Sequence, residues 1–477
     1  MLLAAITTEH HWLFDRSLPL VRSRFARAVL LFFALAPTLP AETATRHVLD
    51  QWLQAFNSAD RAKLTAFWQV YNPEWTQIDR ELHIRKESGG FTLMKVTSDD
   101  GANLDATVAD TGETFLGISV HLRSVGPVKV SSITINGIVP AEGVVPHFSN
   151  DSELISAVRS KADSLAATDQ FSGTVLIARN EEVLLQQAWG LANRKSNSPN
   201  VVDTEFCLGS MNKMFTAVAV LQLVQAGKLP LDAPLGEYWK NYPNKELATT
   251  VTVRQLLSNT AGTGDIFTAE FNNHRLDIRT LDDYVRLYGQ RSLEFEPGSR
   301  SRYSNYGFLL LGVLIEKISG QSYYDYVRDH IFVPAGMTHT DSLPEIDRIL
   351  SHAVGYMPGP NGWVPNTDTL PWRGTPAGGG YSSVGDLLRF SEALLSGHLL
   401  DPKLVQQATT EQFPGSHYGY GFVVEDGFFG HSGAAPGING ELRIYRKTHH
   451  VVIALSNLEP PAAMRIAAFA GHRLPPK

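Results

Sequence analysis

The chain has 477 residues, of which 43% are hydrophobic and 19% charged, and it carries a net charge of −7. That length allows two or three domains and a large core, and the acidic balance, with no basic run beyond residue 41, argues against a nucleic-acid partner. Its single cysteine, Cys207, excludes an internal disulfide and reads as a packed core thiol.

At the N-terminus, Arg22, Arg24 and Arg27 precede the apolar run Ala28–Ala36, and Pro40-Ala41 offers a small residue for cleavage. This order predicts a secretory signal peptide over residues 1–41, hence an exported, periplasmic or secreted protein with no stable membrane span. The stretch before Val21 is long for such a segment, so the true start is expected nearer Val21. The segment holds four arginines against two acids, and its removal takes the net charge from −7 to −9.

Residues 42–137 are predicted to form a small α+β domain. Apolar Val48, Leu49, Trp52, Leu53, Phe56, Leu64, Phe67 and Trp68 recur with helical period, interrupted at Asn57–Asp60, where a second helix can be capped. Strand-like segments follow at Phe91–Val96, Leu104–Val108, Phe115–Leu122 and Val128–Ile135. No His, Asp and Glu constellation stands out among them, so a packing or substrate-shaping role is expected. Residues 138–150 read as a linker.

Residues 151–477 form the second predicted domain. Asp151–Leu165 reads as a helix, and Gly173–Ala178 and Val183–Ala188 as paired strands. Ser210–Ala226 is apolar nearly all round, which predicts a buried helix closed by Gly227. Phe308–Ile318 predicts another such helix, and Ser383 with Asp386 the start of a third. Leu442–Tyr445 and Val451–Ser456 read as edge-to-centre strands, with a last helix from Ala462.

The chemistry concentrates on Ser210, the only serine with a lysine, Lys213, three residues later. That spacing puts hydroxyl and amine on one helical face. A serine becomes a nucleophile when a neighbour takes its proton, and a lysine can do so where burial keeps it neutral. The alternative is a lysine with a packed stem and a solvated head. At the helix start, backbone N–H groups can stabilise negative charge on a reacting oxygen, which makes the Ser210 N–H an oxyanion donor.

Tyr303-Ser304-Asn305 and His431-Ser432-Gly433 follow in order. Together with Phe171–Val175, Gly209–Phe215, Pro297-Gly298 and Gly378–Ser383, they resemble the class C β-lactamase-like serine hydrolases over roughly residues 150–470. That family also holds penicillin-binding DD-peptidases, D-amino-acid-specific peptidases and carboxylesterases. The resemblance implies an antiparallel sheet flanked by helices plus a helical part, and a second oxyanion donor at the Ala434 N–H. It also implies Tyr303 as proton carrier, either as phenolate or through Lys213. Asn305 would lie in an extended segment, facing as Tyr303 does, and hold Lys213 or the substrate carbonyl. The helix-then-meander domain is similar to NTF2-like folds.

Two competing matches are set aside. Tyr242-Pro243-Asn244 lies only 32 residues after Ser210, whereas Tyr303 lies 93 residues on and leaves room for the helical part. His417-Tyr418-Gly419 reads as the start of a strand at Tyr420–Phe422. Penicillin-recognising relatives carry a lysine at the third motif to answer the β-lactam carboxylate. His431 stands there in this chain, neutral at pH 7 and shorter, which leans away from a true β-lactamase. No G-x-S-x-G, H-E-x-x-H or phosphate-loop sequence occurs, so an α/β-hydrolase, a metal site and a nucleotide cofactor are not expected.

The expected protein is a cofactor-free, exported serine hydrolase acting on a small-molecule or peptide substrate, an ester or an amide, through a Ser210 acyl-enzyme. Ser210, Lys213 and Tyr303 would be catalytic, and Asn305, His431, Ser432, Gly433 and Ala434 would bind substrate. The alternatives are a D-amino-acid or cell-wall peptidase, a weak β-lactamase, or a binding protein that kept the fold.

Overall fold

The computed structural model describes residues 43–139, 143–344, 352–425 and 427–476. The expected signal peptide lies outside the described residues. Among those described, no helix is long and apolar enough to cross a membrane.

The first helix, Ala44–Asn57, begins where the Thr43 side chain accepts the Arg46 N–H. The second, Arg61–Tyr71, begins where Asp60 accepts the Ala62 N–H. Val48, Leu49, Trp52 and Phe56 pack with Phe67 and Trp68 onto Leu104, Val108 and Val120 of a four-stranded antiparallel meander. Its strands are Phe91–Asp99, Asn103–Asp110, Phe115–Val125 and Val128–Ile138. A third helix, Ile78–Ser88, is not expected from the sequence, because its largely charged residues offer no long apolar stripe.

That third helix carries an unusual core group. Glu81, only 7% exposed, accepts the indole N–H groups of Trp52 (2.9 Å), Trp68 (2.9 Å) and Trp75 (2.6 Å). Burial pushes its carboxyl upward, and the three indoles hold it back.

The remaining chain is organised by a six-stranded antiparallel sheet. Its order is Val423–Glu425, Phe428–Ala435, Ile438–Tyr445, His450–Ser456, Gly173–Arg179, Glu182–Trp189. Ile438–Tyr445 and His450–Ser456 are therefore interior strands, and both are unbroken runs of buried residues. Alternation explains this. Val452 and Ala454 face the helices Asp151–Ala167 and Ala462–Gly471, whereas Val451, Ile453 and Leu455 face the helical part on the other side.

The helical part is built around Asn212–Gln225 and Asn305–Ser319, both buried along nearly their whole length. Gly320, in the left-handed conformation, closes the latter. The N-terminal module touches the larger part through the turn at Glu113, whose carboxylate pairs with Lys161 (3.4 Å) and Arg473 (3.2 Å).

Glu81→Ala leaves three indole N–H groups without their acceptor, two of them on tryptophans only 2% exposed. At roughly 1–3 kcal/mol for each unsatisfied buried donor, the N-terminal module should lose several kcal/mol of stability. Denaturant unfolding followed by tryptophan fluorescence should show an early transition, and an unchanged curve would refute the structural role given to Glu81.

Candidate active site

Ser210 sits in a single 3₁₀ turn, Gly209–Met211, that runs directly into the helix Asn212–Gln225. The surrounding chain holds this turn through its backbone. Leu208 N–H donates to Gly380 O (2.9 Å), and Gly379 N–H donates to Gly209 O (3.0 Å). Asn212 Nδ2 donates to Thr375 O (2.7 Å), and Thr216 Oγ1 donates to Pro376 O (2.8 Å). The glycine-rich stretch is thus a backbone clasp over the nucleophile turn.

One helical turn on, Lys213 is 0% exposed. Its Nζ lies 2.7 Å from Asn305 Oδ1 and 3.3 Å from Ser210 Oγ, and it also contacts the Ala377 carbonyl oxygen. Burial lowers its pKa to about 7, and the negative charge of Asp265 opposes the fall. The two oxygens on Asn305 and Ala377 can only accept. A neutral amine gives them its two hydrogens and turns its lone pair to the third neighbour, the Ser210 hydroxyl.

Tyr303 covers this group, with Lys213 Nζ 4.6 Å from its ring centre. Tyr303 as a whole is 41% exposed, and its hydroxyl is hydrogen-bonded to Ser210 and desolvated. Burial of that hydroxyl raises the phenol, with the nearby Asp265 charge adding to it and the Ser210 bond opposing, so Tyr303 is a protonated donor at neutral pH. Asn259 brackets it, accepting Arg302 N–H on its backbone oxygen (2.9 Å) and Ser304 N–H on Oδ1 (3.1 Å).

The expected extended path through Asn305 is not found. Ser304 is an N-cap that accepts Gly307 N–H (3.0 Å), and Asn305 is the first helical residue. Asn305 nevertheless reaches Lys213, because its helix packs beside the nucleophile helix. Its Nδ2 donates to both oxygens of Asp265 at 3.0 Å, a residue that the sequence reading does not single out.

Val423–Glu425 pairs with Phe428–Gly430 alone among the residues of the strand Phe428–Ala435, which also packs against the Gly209–Met211 turn. The approach is close: a Cβ on Gly433 would stand 1.9 Å from Leu208 O. A Cβ on Gly209 would stand 3.4 Å from Ala434 N, so two glycines bring the Ala434 N–H beside the turn that carries the Ser210 N–H. Ser432 is half-buried on the same strand.

His431 is only 4% exposed and has both ring nitrogens engaged. Nδ1 lies 2.6 Å from Ser432 O, which can only accept, so Nδ1 carries the hydrogen. Nε2 then accepts the Tyr418 hydroxyl at 3.0 Å. Burial, with the Lys213 charge adding to it and the Ser432 carbonyl opposing, lowers the His431 pKa to about 3. The third motif therefore offers no positive charge. Of the two competing matches, Tyr242 is fully buried against the Tyr306 hydroxyl (3.0 Å), and His417 is an exposed residue of irregular backbone with φ 51. The strand after it starts at Val423, so Tyr420–Phe422 precede it as a bend.

A six-stranded antiparallel sheet between helical layers, with a serine–lysine pair at the start of a buried helix, defines the β-lactamase/transpeptidase-like α+β fold. The chain belongs to the Beta-lactamase family, whose model matches residues 158–474. It is 33% identical over 299 residues to PbpX of Bacillus subtilis (strain 168), whose name assigns it provisionally to the penicillin-binding proteins. That match covers 62% of this chain and 72% of that protein. The crystal structure of a penicillin-binding protein from Bacillus halodurans superposes with a TM-score of 0.60 at 30% identity, covering 65% of this chain and 98% of that one. A D-amino acid amidase from Ochrobactrum anthropi SV3, complexed with D-phenylalanine, shares the fold at 23% identity. Its TM-score is 0.58, with 67% of this chain and 98% of that one covered.

Gly209 has φ +54, and an added Cβ would press on Gly433 Cα (3.3 Å) and Ala434 N. Gly209→Ala should therefore push the strand away from Ser210 and lower kcat by about tenfold or more, against roughly 10²–10³ for outright loss of an oxyanion donor. Steady-state kinetics alongside circular dichroism measures this, and an unchanged kcat would contradict the proximity argument.

Proposed function

We propose that the protein hydrolyses an ester or amide bond through an acyl-enzyme on Ser210. The observation that carries this reading is the Lys213 amine, fully buried and with both hydrogens of its neutral form claimed by Asn305 and Ala377. Ser210 Oγ attacks the carbonyl carbon as its proton passes to Lys213, and the negative charge on the carbonyl oxygen falls to the Ser210 and Ala434 N–H groups. Tyr303, protonated at neutral pH, hands a proton to the leaving group and is restored from Lys213. Water then attacks the acyl carbon, its proton passing to Lys213 and from there to Ser210 Oγ as the acyl–oxygen bond breaks, which releases the acid and free Ser210.

The buried, neutral His431 favours acyl substrates without a carboxylate beside the scissile bond. This separates the reading from β-lactam turnover and leaves neutral esters and D-amino-acid amides as the compounds to try. We further infer that the protein is exported. We also infer that residues 42–137 form an NTF2-like module joined by residues 138–150 to a hydrolase domain over 151–477. The helix-then-meander order supports that division.

Hydrolysis of p-nitrophenyl butyrate by the protein and its Ser210→Ala variant tests the proposal. Activity should disappear with the serine, and intact-mass analysis should find a butyryl adduct on the parent protein alone; equal turnover by both would remove Ser210 from the mechanism. Because the base must be neutral, kcat/KM should rise with pH through about 7. A profile flat from pH 5 to pH 9 would exclude Lys213 as that base.

A further inference from the structure

Asn305 meets Lys213 with its carbonyl oxygen, and this choice of end decides whether the lysine can act. The two ends of an asparagine amide are nearly the same in shape and opposite in hydrogen bonding. With Oδ1 facing Lys213, the amide takes one amine hydrogen and leaves the lone pair for Ser210. With the NH2 group facing it, the amide would donate into that lone pair, and Ser210 would lose its proton acceptor. Nothing in the Lys213–Asn305 contact alone rejects the second arrangement.

The rejection comes from Asp265. A carboxylate can only accept, and both of its oxygens lie 3.0 Å from Asn305 Nδ2. The carboxylate is itself held, since Oδ1 also accepts Ile266 N–H (2.6 Å) and Phe267 N–H (3.3 Å). Its loop is tied down on both sides. Ser304 Oγ donates to Gly264 O (2.5 Å) and lies 2.8 Å from Thr263 Oγ1, while Arg291 Nη1 donates to Asp265 O (2.6 Å).

We propose that Asp265 is a positioning residue for the base, fixing the Asn305 amide so that its carbonyl oxygen faces Lys213 and the lysine lone pair faces Ser210. This rests on the reading of Ser210 and Lys213 as nucleophile and base. The titratable groups that face Lys213 are Tyr303 above it, His431 on the neighbouring strand and Asp265 in its loop. Tyr303 is protonated and His431 neutral at pH 7, so the charge that acts on the amine is that of Asp265.

The test compares Asp265→Asn and Asp265→Ser with the parent protein in p-nitrophenyl butyrate hydrolysis across pH, with thermal unfolding in parallel. Asparagine keeps the shape and loses the acceptor-only character. Serine keeps a short acceptor for the Ile266 N–H and cannot reach Asn305. Both should lower kcat by about tenfold or more while KM changes less than about twofold. Both should also move the acid limb of kcat/KM to lower pH, because the charge that opposes the fall in the Lys213 pKa is gone. Unchanged kcat and an unmoved limb would overturn the proposal. So would a loss of activity that comes with a lower melting temperature and an unmoved limb, since that marks a loop prop only. Ser210→Ala in the same series separates the two readings. If it is inactive while the Asp265 variants behave as parent, only this inference fails; if it is active, the nucleophile assignment fails first.

Discussion

A primary amine enclosed at 0% exposure cannot stay charged without partners for its hydrogens, and Lys213 is surrounded on that condition. The helix Asn212–Gln225 is apolar and buried nearly all round, and that burial lowers the amine towards neutrality. The acceptors that reach it come from two other parts of the chain, the Asn305 helix and the clasp through Ala377. The helical part and the glycine-rich loop each place one neighbour of a single nitrogen. The same enclosure explains why Tyr303 stands over the amine with its ring: the face of an aromatic ring is a neighbour that a lysine head tolerates in either protonation state.

The pairing of Ser210 with Lys213 is legible in the sequence because it is local, and helical spacing alone brings the two side chains together. The interior strands are legible as strands from their runs of Val, Ile and Leu, yet their rank in the sheet is not, since both faces are buried and alternation is lost. Tyr303 and His431 are reached through the order of motifs. Their hydrogen-bond partners are a different matter. Asp265 lies 40 residues before Asn305 and meets it only because Ser304 stitches the two segments together. Tyr418, the middle residue of the discarded His417-Tyr418-Gly419 match, meets His431 from 13 residues away. Such contacts depend on tertiary placement and leave no periodic trace. The Ile78–Ser88 helix escapes because one buried glutamate anchors it, with Ile78, Leu82 and Ile84 only partly buried against the core.

The third motif shows how a substitution alters a site beyond the loss of one charge. In place of a long cation, His431 turns inward, gives its hydrogen to Ser432 O and accepts the Tyr418 hydroxyl. The strand keeps its glycine and its close approach to the Gly209–Met211 turn, while the buried His431 side chain brings no positive charge to it at neutral pH. On the function proposed above, acyl-transfer geometry and substrate polarity are carried by different atoms of one strand, the backbone N–H of Ala434 and the side chain of His431.

The central claim is that Lys213 is a neutral base near pH 7, and its titration can be observed directly. With lysine Cε labelled with carbon-13, the NMR signal of Lys213, identified by its absence from Lys213→Met, should titrate with a midpoint near about 7. A lysine signal set that titrates entirely above about 10, the ordinary range for this side chain, would contradict the account.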